Sequence, residues 1–352
     1  MLQISTYEHL MKAKILASFK ESSRRNNTIA DMVQSLIISR KVSSTACALH
    51  FPGVSDIGSK LRRVERFYEH NYLSTGTAID FLFRFKSSGK CVLIMDRTNW
   101  EYGDTDINYL AIYGVEGSRQ SLVNVELLNN NGGSSNFEDR KLVIEPVIGQ
   151  LGLENIEALL GDREFFSFEF IAYLLDKGLP FVIRIKENLH FIQDLIRQLK
   201  AASKTLRNQV IANFNGKDIV VDLSGKKLKD EYLLVVSLQV PNPLQLYRKR
   251  WEIECFFKKI KTAGFNLEST HIKSLTRLKS LILLCAMAHL ICTLFGIFRH
   301  HCIRPMKFKK SLNCYQFSFF RYGLDWITEL ILYPQNIPSK PMQNLLDYSH
   351  VG

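Results

Sequence analysis

The stretch N242-PLQLYRKRWEIECFFKKIKTAG-F265 decides how the rest of this chain is read. It carries Tyr247, Arg250, Glu254 and Lys261 at relative positions 0, 3, 7 and 14. On a helical wheel these fall at about 0°, −60°, −20° and −40°, one narrow face. Lys258 and Trp251 lie close to that face, and Ile253, Phe256 and Ile260 lie opposite. Asn242 suits an N-cap, Pro243 suits the first helical position, and Gly264 stands where a C′ glycine belongs. The plain reading is an amphipathic helix with a solvated charged face. The alternative is a helix whose front holds one carboxylate among several cations, an arrangement suited to a metal ion surrounded by phosphates.

Two acids upstream favour the alternative. GKCVLIMDRT (89–98) reads as a buried strand ending at Asp96, and IEALLGD (156–162) as another ending at Asp162. Between them, 107–115 and 118–128 read as strands, 129–136 as a turn-rich patch, and 137–151 as a helix in spite of Pro146. Beyond them come a helix at 168–178 closed by Gly178, a strand at 179–186, a polar lysine-rich stretch at 187–230, and a strand at 231–240. Asp104 and Asp106 read as loop residues. Three strands followed by alternating helices and strands describe an α/β, RNase H-like catalytic core. In such a sheet the first and fourth strands are neighbours and the late helix packs beside them, so Asp96, Asp162 and Glu254 converge. Converging carboxylates repel each other, and a divalent cation relieves that repulsion. Oxygen ligands select Mg²⁺ or Mn²⁺, and two such ions suit phosphodiester chemistry. Singly, each aspartate after a strand is a common turn former or helix cap.

Composition points the same way. Of 352 residues, 46% are hydrophobic, which supports a real core, and the net charge of +12 favours a polyanionic partner, nucleic acid first and acidic membrane second. The seven cysteines are scattered with no CxxC pair, which disfavours structural zinc and suits a reducing cytoplasm. The opening MLQISTYEHLMKAKIL has no signal-peptide layout. SLILLCAMAHLICTLFGIF (280–298) has no formal charge and the length of a membrane span, yet it contains His289 and has no companion. It is expected to be a buried core helix, with no membrane partner. Residues 1–88 read as helical and basic, with 14 Lys and Arg up to Lys90 against 7 Asp and Glu, and Arg62, Arg63 and Arg66 lie together. This region suits either a DNA-binding domain or a helical cap on the core.

The motif Tyr247-x2-Arg250-x3-Glu254-x6-Lys261 resembles the Tyr-Arg-Glu-Lys signature of the DDE transposases of bacterial insertion sequences, in the subgroup called the insertion sequence 4 family. MDRTNW around Asp96 and GDREF around Asp162 resemble its first and second aspartate motifs. The separations of 162 − 96 = 66 and 254 − 162 = 92 residues also fit. The resemblance spans roughly residues 90–330. It implies metal-dependent cleavage at the ends of a mobile element and strand transfer into target DNA. Asp96, Asp162 and Glu254 would be the catalytic, metal-holding acids, with Tyr247, Arg250 and Lys261 contacting phosphates near the cut. Lys258 stands beside Glu254 as a further cation, and Arg62, Arg63 and Arg66 are expected to contact the terminal repeats. The implied partners are double-stranded DNA and a second copy of the chain, a homodimer on DNA, in the bacterial cytoplasm at the nucleoid. The implied organisation is a helical DNA-end-binding region (1–88), a core (89–186 and 241–298), an inserted β-containing segment (187–240) and a basic, helical C-terminal region (299–352). In relatives that cut through a DNA hairpin, a flipped base stacks on an aromatic residue of the insert. Here the insert has no tryptophan, and Phe191, Phe214 and Tyr232 are its candidates. Two other readings share the acids: another RNase H-like nuclease, such as a junction resolvase, and a transposase-derived DNA-binding protein that no longer cuts.

Overall fold

The computed structural model describes residues 12, 15–16, 19 and 23–333, apart from 71–72, 84–88, 103–104, 118, 129–132, 202–204, 215, 230 and 271. Readings that fall on 1–11, on Asp104, on the first half of the turn-rich patch and on 334–352 lie outside the described residues.

One eight-stranded sheet organises the chain, in the order β3-β2-β1-β4-β5-β8-β7-β6. β1 (Cys91–Tyr102), β2 (Thr105–Glu116) and β3 (Arg119–Leu128) form an antiparallel meander. β4 (Ile156–Gly161) lies parallel to β1, and β5 (Phe181–Arg184) parallel to β4. The crossovers are α5 (Phe137–Leu151) and α6 (Phe168–Lys177). This five-strand order is the RNase H-like arrangement expected from the sequence. The helix starts follow local chemistry. Asn136 and Asp139 form a reciprocal capping box on α5, and the Ser167 hydroxyl accepts from the Phe170 amide to start α6. Gly178 ends α6 in the left-handed conformation at φ 65°, which glycine adopts without a Cβ penalty.

Residues 187–240 extend this sheet rather than standing apart from it. After α7 (Gln193–Ala201), strands β6 (Leu206–Phe214) and β7 (Lys217–Lys227) form a hairpin. β8 (Tyr232–Leu238) then pairs antiparallel with both β7 and β5.

The strand carrying Asp96 does not stop there. Its parallel pairing with β4 ends at Met95–Gly161, but its antiparallel pairing with β2 continues to Tyr102–Thr105. Asp96, opposite Ala111, therefore sits where one neighbour has ended and a cleft opens beside the other. Asp106 belongs to β2 rather than to a loop.

The N-terminal helices are α1 (Arg24–Ser39), α2 (Ser44–Leu49), α3 (Ile57–Glu69) and α4 (Thr75–Phe83). α1, α3 and α4 pack against α10 (Leu275–Phe298), as does α11 (Phe319–Leu332), and α2 packs on α1 and α3. From Ser280 to Phe298 every residue of α10 is buried. Among the described residues, Leu275–Ile303 is the one helical run long and apolar enough to cross a membrane, and its most apolar window is entirely enclosed by the protein. Two glycines explain the enclosure. A Cβ on Gly296 would lie 1.9 Å from the Phe319 carbonyl oxygen, and one on Gly323 would lie 1.8 Å from that of Cys292. The backbones of α10 and α11 touch here, at a distance that only glycine permits.

Candidate active site

The decisive stretch is one helical run with changing pitch. α8 (Pro243–Tyr247) passes through a 3₁₀ turn at Arg248–Arg250 into α9 (Trp251–Lys258), and the run ends in a π turn at Lys259–Ala263. Asn242 and Pro243 occupy the expected first positions. Gly264 does not act as a left-handed C′ glycine, since its φ is −119°. It is small because a Cβ there would lie 2.7 Å from the Lys259 carbonyl oxygen and 2.8 Å from the Phe320 ring. Ile253, Phe256 and Ile260 are fully buried, as the wheel predicts. Phe256 and Phe257 pack on Tyr113 and Tyr109 of β2, with ring centroids 5.0 and 5.7 Å apart. Tyr109, Tyr113 and Asp96 share one face of the sheet, so this packing brings the polar side of the run over Asp96.

The structure brings five of the sequence-derived residues together. Arg250 donates from Nη1 to Asp96 Oδ2 at 3.1 Å and from Nη2 to Glu254 Oε1, one helical turn on. The Tyr247 hydroxyl donates to Asp162 Oδ1 at 3.3 Å. Lys261 reaches the same strand further along, donating to the Asn99 carbonyl oxygen at 2.7 Å with Glu268 3.7 Å away. The π turn carries it there, which a constant 100° per residue does not anticipate. Lys258 and Trp251 are exposed on the helix.

Burial sets the electrostatics. It pushes the Asp96 carboxyl up to about 6; Arg250 and the Arg97 amide pull it down, and Glu254 and Asp162 push it further up. The Arg97 amide donates to Asp96 Oδ1 at 2.9 Å. Burial and then the Asp162 carboxylate raise the Tyr247 hydroxyl, keeping it a proton donor. Burial opposes the charge of Arg250, but Tyr247 and the three carboxylates outweigh it and raise its pKa. Burial lowers Lys261, partly offset by Glu268.

Among the described residues, no group of three or more His, Cys, Asp or Glu side chains stands close enough to hold one metal ion. The donor chemistry nonetheless fits a hard divalent cation: three carboxylates from separate elements repel one another across the cleft, and a protein cation, Arg250, already bridges two of them.

The other sequence candidates lie elsewhere. Arg62, Arg63 and Arg66 are exposed on α3, which packs on α1, α2 and α10 rather than beside the acids. Arg63 also serves the N-terminal helices, 3.6 Å from the buried Asp31 and 4.6 Å above the Phe51 ring. Phe191 packs at 6.3 and 6.4 Å from Phe166 and Phe168, Tyr232 is half-buried on β8, and the Phe214 side chain is outside the described residues.

Sequence reasoning missed a network on the opposite face of the sheet. Arg97 Nε donates to both oxygens of Glu164 at 2.8 and 3.1 Å, and its Nη1 donates to Asn108 Oδ1 at 3.1 Å. The buried Arg140 donates to the carbonyl oxygens of Ser135, Glu164 and Phe165. The available signal was that each aspartate motif continues with Arg, as Asp96-Arg97 and Asp162-Arg163-Glu164.

An RNase H-like sheet with acids at its first and fourth strands and on a late helix defines a class of nucleic-acid-cleaving enzymes. The family model described as Transposase DDE domain matches residues 87–291, and the chain belongs to that family, the DDE transposases. Enzymes of this family generally depend on divalent metal ions. Curated protein sequences give no significant match. Among solved structures, the chain is similar to a piggyBac transposase synaptic complex with hairpin DNA, at 11% identity and a TM-score of 0.47, over 98% of this chain and 84% of that one. Endonuclease V from Bacillus subtilis is similar at 11% identity and a TM-score of 0.27, over 52% of this chain and 91% of that one. Neither likeness is close enough to carry an argument.

Proposed function

We propose that this transposase cuts DNA at the ends of its own mobile element and joins the freed 3′ ends to target DNA, with Asp96, Asp162 and Glu254 as its catalytic acids. One observation supports this above all: side chains 66 and 92 residues apart in sequence meet along a single face of the helix, through the pairs Arg250–Asp96, Arg250–Glu254 and Tyr247–Asp162. The three carboxylates would hold Mg²⁺ or Mn²⁺, two ions by the family resemblance. When bound, the ions would polarise the scissile phosphate and lower the pKa of the attacking hydroxyl. The protein's own part is positioning and charge. Tyr247 orients Asp162, Arg250 orients Asp96 and Glu254, and Arg250, Lys258 and Lys261 supply positive charge for phosphate oxygens.

The Tyr247-Arg250-Glu254-Lys261 spacing is what supports reading the chain as a member of the insertion sequence 4 subgroup. Arg62, Arg63 and Arg66 are assigned to contacts with the terminal repeats, and the working form is a homodimer on DNA, in the bacterial cytoplasm at the nucleoid. A junction resolvase or RNA–DNA hybrid nuclease would share the acids without needing Tyr, Arg and Lys at these spacings. A silent DNA-binding descendant would be under no constraint to keep all three acids.

The test is Glu254→Gln. Strand cleavage should disappear while binding to DNA in EDTA stays within about twofold, as expected when a removed group acts only in the transition state. Cleavage that survives the change would remove Glu254 from the mechanism.

A further inference from the structure

Backbone pairing does not fix the separation of the two aspartates. The ladder between β1 and β4 ends at Met95–Gly161, one residue before each acid. Beyond that point β1 continues beside β2 alone, while the chain after Asp162 turns away in a 3₁₀ turn, Arg163–Phe165. What bridges the gap is the Arg97–Glu164 ion pair. Arg97 immediately follows Asp96 but points to the opposite face of the sheet, as alternate strand residues do. Its side chain and that of Glu164 are 20% and 22% exposed, away from open solvent.

Glu164 is held at both ends. Its carboxylate takes both Arg97 contacts and, at 3.4 Å, the amide and hydroxyl of Ser135. Its carbonyl oxygen takes Arg140 Nη2 at 3.1 Å. Arg97 is anchored on its far side by Asn108, whose amide donates to the Gly133 carbonyl oxygen at 2.9 Å. The pair therefore ties three segments: the β1 extension, the turn after β4, and the loop entering α5.

We propose that Arg97 and Glu164 are positioning residues that set the distance between Asp96 and Asp162, acting from the face away from the substrate. The proposal rests on the reading of those aspartates as metal-holding acids. The pair is mostly buried and networked, so removing one partner also costs stability, and its positioning role is read from metal affinity in the folded protein. A displacement of about 1 Å at reacting groups can cost about 10²-fold in rate.

The experiment uses the full chain and Mn²⁺ as probe. Mn²⁺ affinity is measured by calorimetry without DNA, alongside melting temperature and DNA affinity in EDTA. Measured at a temperature where the variant is folded, Glu164→Gln should weaken Mn²⁺ binding about tenfold, as loss of an orienting partner does, with DNA affinity in EDTA near wild type. The Arg97→Glu/Glu164→Arg exchange should recover most of that loss. Unchanged Mn²⁺ affinity in Glu164→Gln would overturn the proposal, as would a loss that the exchange does not recover and that follows the melting temperature. Asp162→Asn serves as the control: if it binds Mn²⁺ like wild type, the assignment of the acids fails instead.

Discussion

Replacing Asp96 by Asn should stabilise the metal-free protein at neutral pH. Burial holds the Asp96 carboxyl at about 6 in the folded state, against 3.8 for the free side chain. The folded state then binds more protons than the unfolded state between these values, so stability falls as pH rises through that window and stays lower above it. That rise corresponds to about 3 kcal/mol, with the opposing pull of Arg250 and the Arg97 amide already included. Asn resembles the protonated carboxyl in charge and size. Asp96→Asn should therefore gain about 3 kcal/mol at pH 7.5 in EDTA and roughly nothing at pH 4. Paired urea melts at the two pH values measure this directly. Adding Mn²⁺ should stabilise the wild type and not the variant, narrowing the difference. A variant less stable than wild type at pH 7.5 in EDTA, or a gain equal at both pH values, would refute the argument that burial disfavours the charged form of Asp96.

Further outcomes follow from the same geometry. Arg250→Ala removes the cation shared by Asp96 and Glu254; the metal-free protein should lose about 1–3 kcal/mol at pH 7.5 and less at pH 5, seen in melts across pH. Gly323→Ala should destabilise by more than about 3 kcal/mol or prevent soluble expression, because its Cβ would fall 1.8 Å from the Cys292 carbonyl oxygen. Lys261→Ala, which loses contacts to Asn99 and Glu268, should lower cleavage more than it lowers melting temperature. DNA affinity should fall steeply with added salt, by about 10³-fold or more between 50 and 200 mM if six or more phosphates are contacted, as filter binding would show.

The core was legible because its signals are local. Apolar runs of strand length and the turn residues between them each act within a few residues. The apolar back of the Tyr247–Lys261 run was legible for the same reason: Ile253, Phe256 and Ile260 need only helical periodicity. What escaped depends on partners distant in sequence. Arg97, Thr98 and Asn99 look like loop residues, and only the pairing with β2 makes them strand. The joining of β8 to β5 turns the 187–240 segment into more of the same sheet, and no local pattern announces that pairing. Gly264 was read as a helix cap because helices commonly end so, while its smallness answers to the Phe320 ring far along the chain. The proposed acids come from motif spacing, whereas no local pattern announces the ion pair Arg97–Glu164, made across 67 residues.

The central claim is that Asp96, Asp162 and Glu254 form one centre that cuts DNA at element ends. The most direct measurement incubates purified protein with DNA carrying its own element's flanks, in Mg²⁺ or Mn²⁺, and maps the cuts at nucleotide resolution beside Asp96→Asn, Asp162→Asn and Glu254→Gln. Metal-dependent cuts at the element boundary leaving a 3′-hydroxyl, absent in all three variants, are the predicted result. Specific binding without cutting in either metal, or cleavage confined to RNA–DNA hybrids or junctions, would contradict it.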